Sequence, residues 1–129
     1  MKYLRALKIF RAIVDDETQQ YQQHPDEAAA LARDAYDRAQ RHRAPLRRVW
    51  DDLTTFFRLL RNWATGKYKL LPWKSLSLIL GAVLYFMSPL DAIPDLIPGV
   101  GFLDDVFIVA WVMRYVRRDV EDFRQWERI

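Results

Sequence analysis

Sixteen consecutive residues without a charge, Ser75 to Leu90, run directly into a segment dense in Asp, Pro and Gly. As a helix rising about 1.5 Å per residue, the run is roughly 24 Å long. A bilayer span wants about 20 apolar residues, so this stretch must be wrapped by other helices or enter lipid only in part. Between Ser88 and Asp105 follow four aspartates (Asp91, Asp95, Asp104, Asp105), three prolines (Pro89, Pro94, Pro98) and two glycines (Gly99, Gly101). A second apolar stretch, Val106 to Met113, comes next. Extending it backwards into a full span would carry Asp104 and Asp105 towards the bilayer centre. Each would cost roughly 2.5–3.5 kcal/mol, against about 0.3–0.6 gained per Leu, Ile, Phe or Val. Two complete spans are therefore disfavoured, and the pattern reads as a short apolar hairpin with an acidic corner.

The rest of the chain is helical by pattern, with no strand-like alternation. Apolar residues Leu4, Leu7, Ile9, Phe10, Ile13 and Val14 form one face of a helix over 2–22, closed by His24-Pro25. Pro25 suits a helix start, and Asp26 and Glu27 favour its positive dipole end. That second helix, to about 42, carries a weak stripe (Ala28, Leu31, Ala32, Ala35, Tyr36, Ala39) and should lie over the others. From Pro45 to Gly66, apolar residues recur at i, i+3, i+4 and i+7, and Gly66 fits the position just past a helix end. A last helix is expected over 104–128. The fold class is all-α, about five helices, with an amphipathic N-terminal region (1–66) packed on the hairpin and C-terminal helix (67–129) in one domain.

Charge is segregated within a modest net +3. From Arg38 to Lys74 ten Lys/Arg face two Asp, a balance of +8; from Ser75 to Met113 four Asp face no base, a balance of −4. Lys67, Tyr68, Lys69, Trp73 and Lys74 precede the hairpin; Trp111, Arg114, Tyr115, Arg117 and Arg118 follow it. Cations and rings thus share its open end, as expected for a hairpin approached from the cytoplasmic side of a membrane. Nucleic acid is not the expected partner, because the arginines of 38–61 occupy the polar face of an amphipathic helix. Cysteine is absent and the two histidines, His24 and His42, sit in polar surroundings, which leaves little to build a nucleophilic or zinc site.

The run from Tyr85 to Asp105 resembles the signature of the YkvA-like family, a domain of unknown function. The family pattern is an aromatic residue, then S-P-x-D-x-I-P-D-x-I-P, then Gly-aromatic-Leu-Asp-Asp. This chain matches at Ser88, Pro89, Asp91, Ile93, Pro94, Asp95, Ile97, Pro98, Gly101, Leu103, Asp104 and Asp105. It departs at Ala92, where Leu is common, and at Gly99. The resemblance covers roughly 71–115. It implies membrane association and a bacterial-type setting, and implies no activity.

Two readings of the motif compete. In the first, Ser88, Pro89 and Asp91 cap a helical turn, the Pro-Asp and Pro-Gly pairs form turns, and Asp104 or Asp105 caps the last helix. In the second, Asp91, Asp95, Asp104 and Asp105 converge on a hard divalent cation. The function expected is a non-enzymatic membrane-associated scaffold or adaptor without cofactor, basic ends cytoplasmic, with membrane lipids as partners and a protein as a further one. The alternative is a soluble cytoplasmic module binding a divalent cation or a protein through the Asp cluster. If the apolar helices prove wrapped on all sides, with no bare oily face, the lipid argument drawn from them falls.

Overall fold

A proline can neither donate a hydrogen bond nor follow an α-helical residue comfortably, so His24-Pro25 divides the N-terminal half. In a computed structural model of the chain, which describes residues 2–87 and 103–129, His24 sits at φ −129°, ψ 74°, the extended side that precedes proline. The predicted first helix is α1 (Lys2–Asp16) and α2 (Thr18–Gln23), interrupted at Glu17. The Thr18 hydroxyl donates to the Val14 carbonyl at 2.6 Å, a backbone competition that bends helices. Helix α3 (Pro25–Arg41) follows, with Asp26 and Glu27 in its first turn and Arg38 and Arg41 in its last, complementing both dipole ends. It lies over its neighbours as expected, and Ala28, Ala32, Ala35 and Ala39 bury one close-packed face.

A 3-10 turn (Arg47–Val49) leads into α4 (Trp50–Ala64). The end of α4 is a Schellman arrangement: Gly66 takes φ +77° and its N–H donates to the Trp63 carbonyl at 3.1 Å, while Lys67 N–H reaches the Asn62 carbonyl at 2.9 Å. Gly66 thus serves as the periodicity indicated.

Helix α5 (Trp73–Met87) is the centre of the molecule, packing against α1, α2, α3, α4 and α6 (Leu103–Glu127). From Ser75 to Phe86 every residue is buried except Leu78, which is half-buried. At Gly81 it packs tightly on α1, where an added Cβ would lie 2.5 Å from Val14 Cγ2 and 2.9 Å from Phe10 Cε1. Tyr85, Phe56, Phe86 and Phe123 are the largest fully covered side chains, and the Phe57 and Phe86 rings meet at 6.3 Å. The expectation that the apolar hairpin leaves an oily face for lipid is corrected here for α5. The apolar surface of α5 is spent on protein neighbours, and among the described residues no helix is long and apolar enough to cross a membrane.

Candidate membrane-facing edge and acidic corner

Asp104 and Asp105 stand in the first turn of α6, where unpaired amide groups and the positive dipole end favour carboxylates. Side chains about 100° apart on a helix usually include one facing water. Here both are covered, with Asp104 0% and Asp105 2% exposed, because the start of α6 is enclosed on more than one side. The Tyr85 hydroxyl donates to Asp104 Oδ2 at 3.3 Å, joining the end of α5 to the start of α6. The guanidinium of Arg38 lies 5.5 Å from the centroid of the Phe86 ring, so the last turn of α3 also reaches this end of α5. Ser88, Pro89, Asp91, Pro94, Asp95, Pro98 and Gly101 lie outside the described residues. Among the described residues, no group of three or more Asp, Glu, His or Cys side chains is placed to hold a metal ion.

The opposite, open end of the hairpin has a different chemistry. Ser75 Oγ donates to the Asp119 carboxylate, fastening the first turn of α5 to α6. Seven residues earlier, Tyr68 is only 3% exposed, its ring 5.1 Å from that of Phe123 and 5.2 Å from that of Trp126. Tyr68 was expected among the interfacial rings, and this is a correction: it is an anchor in the core. Between these two fastenings the linker turns outward. Lys67, Lys69 and Lys74 are exposed, Leu70 is 79% exposed and Trp73 39%. Arg114, Arg117 and Arg118 are exposed on α6, as is Tyr115 at 62%. Trp111 is half-buried, edge-on to Phe10 at 5.6 Å and 4.8 Å from the Tyr115 ring.

Leu70 was not singled out from the sequence as an interface residue. Its signal was there in outline: an apolar side chain next to lysine, in a proline-bearing linker that is not helical. What sequence alone does not reveal is that its neighbour Tyr68 takes the inward place.

Burial raises the Tyr68 hydroxyl above the ordinary 10.0, with Asp122 and Asp119 adding to the effect. The sign is fixed by the order of ionisation. The unfolded chain releases this proton near the ordinary value, while the folded chain holds it to higher pH. The folded state therefore binds more protons in that window, and stability falls as pH rises from about 10 through the folded value. Urea titrations across alkaline pH should show this decline, and Tyr68→Phe should flatten it. An unchanged slope in the variant would assign the decline elsewhere.

The model of a family described as "Protein of unknown function (DUF1232)" matches residues 75–111. The "Uncharacterized membrane protein YkvA" of Bacillus subtilis (strain 168) is 38% identical over 74 residues, 57% of this chain and 70% of that protein. The chain belongs to this YkvA-like family. A region of 39 residues, 30% of this chain, is 49% identical to the "E3 ubiquitin-protein ligase RNF170" of Xenopus laevis, and the match spans 15% of that protein. No solved structure matches the chain.

Proposed function

We propose that this protein is a non-enzymatic adaptor that docks on the anionic, cytoplasmic surface of a bacterial-type membrane through the linker before α5 and the adjoining face of α6. One observation carries the reading: Leu70, 79% exposed, and Trp73, 39% exposed, stand among exposed Lys67, Lys69 and Lys74 on the linker and first turn of α5, a segment fastened at Tyr68 and at Ser75. A fastened linker has already lost conformational freedom, so presenting an apolar side chain to water or to lipid adds little ordering cost on docking. Each basic side chain near an anionic leaflet contributes on the order of 1 kcal/mol, attenuated by salt. Arg114, Arg117 and Arg118 add to the same field, with Tyr115 as a headgroup-level ring. The Bacillus subtilis relative is named a membrane protein, which supports the reading. Rings and cations of this kind bind rather than react, hence an adaptor.

Vesicle flotation tests it. The protein should float with phosphatidylglycerol-containing vesicles, release as salt is raised, and stay in the pellet with pure phosphatidylcholine. Leu70→Ser combined with Trp73→Ser should cut the floated fraction about tenfold or more, from the lost insertion of two apolar side chains. Equal flotation on both lipids, or no change in the double variant, would overturn the proposal.

A further inference from the structure

Helices α3 and α4 leave a groove of about 690 Å³ between them, within the size range of small-molecule sites. Its floor is Ala29 and Ala32 with the rings of Tyr36, Trp50 and Phe57; Arg33, Arg58, Arg61 and Thr54 complete the lining. No described residue of the lining is acidic. Arg58 shares its charge with Glu127 at 2.9 Å. Arg33 has only a 4.0 Å approach to Asp34 between exposed side chains, and Arg61 forms no ion pair among the described residues. The Arg43 guanidinium lies 4.7 Å from the centroid of the Trp50 ring, adding positive potential beside the floor. The Tyr36 hydroxyl is already occupied as acceptor of the Gln40 side-chain amide at 2.8 Å.

This arrangement selects its ligand on two counts. Guanidinium groups with spare donors match phosphate oxygens in paired hydrogen bonds, so the rim asks for an anion, above all a phosphate. The floor offers rings and methyl groups and almost no hydrogen-bonding group to read a sugar or a base, so the body of the ligand is apolar. We propose that the α3–α4 groove binds a single-chain lipid phosphate monoester, the acyl chain along the Ala29–Trp50–Phe57 floor and the phosphate at Arg33 and Arg61. The site is distinct from the proposed membrane-docking edge, and either can fail without the other.

The test uses the full chain and a lauroyl lysophosphatidate below its micelle concentration, followed by calorimetry. Saturable binding of one molecule is expected, clearly tighter than binding of monolauroylglycerol, phenyl phosphate or inorganic phosphate. Arg61→Gln should weaken it about tenfold, the usual effect of losing a charge-assisted hydrogen bond. Ala29→Phe should abolish it by filling the floor while every arginine remains; circular dichroism and a melt confirm that each variant folds. If Ala29→Phe does not fold, Arg33→Gln with Arg61→Gln takes its place and should abolish binding. Absence of binding, equal affinity for the neutral glyceride, tighter binding of phenyl phosphate, or indifference to these substitutions would each overturn the proposal.

Discussion

Leu80→Ala should lower the unfolding free energy by about 2–5 kcal/mol in buffer without detergent, the range for removing a fully packed leucine. Leu80 is 0% exposed in the middle of α5, and five helices close around that element. Truncation forfeits the transfer energy of the lost methyl groups and leaves a cavity that such neighbours collapse into only partly. Urea melts read the effect as a lower midpoint at an unchanged slope. Leu4→Ala is the internal comparison, since Leu4 is 57% exposed, and should change stability by no more than about 0.5 kcal/mol. A Leu80→Ala loss as small as that of Leu4→Ala would contradict the enclosed position of α5.

Phe123→Ala should cost about 3–5 kcal/mol, as for other buried aromatic truncations. Phe123 is 0% exposed; it stacks on Trp126 at 5.7 Å and meets Tyr68 edge-on at 5.1 Å. Its removal acts on α6 and also on the linker, because Tyr68 loses one of the two rings that hold it inward. The melting temperature should fall, and tryptic cleavage after Lys67 and Lys69 should accelerate more than the global destabilisation accounts for. Cleavage that merely tracks the melting temperature would argue against a ring anchor for the linker.

Much of the helical framework was readable in the residues. The i, i+3, i+4 spacing of Leu53, Phe56, Phe57 and Leu60 gives α4 its buried face, and Pro25 and Gly66 mark a start and a stop. The interruption at Glu17 was not readable. Neither Pro nor Gly stands there, and the bend accompanies a hydroxyl-to-carbonyl bond at Thr18 that composition does not announce. The largest departure concerns α5. An unbroken apolar run is equally consistent with a helix against lipid and one enclosed by protein, and periodicity cannot separate the two. What decides is the apolar faces of α1, α3, α4 and α6, which all close on it. The lipid argument from bare apolar rods therefore falls for α5, and the proposed membrane docking rests instead on the exposed linker and the outer face of α6. Of the acidic motif, Asp104 and Asp105 are placed, and both are inside. The α3–α4 groove had no sequence signature beyond the alanines of α3, whose small side chains leave room beside Trp50.

The glycine notch beneath Phe10 and Val14 has a wider meaning for the shared segment. The family match begins at residue 75, yet the wall that shelters Gly81 comes from residues 10 and 14. In this chain the recurrent family sequence is a guest, and its housing is supplied by the N-terminal helices that the family pattern does not describe. Swapping the motif between relatives would therefore require moving its matching walls as well.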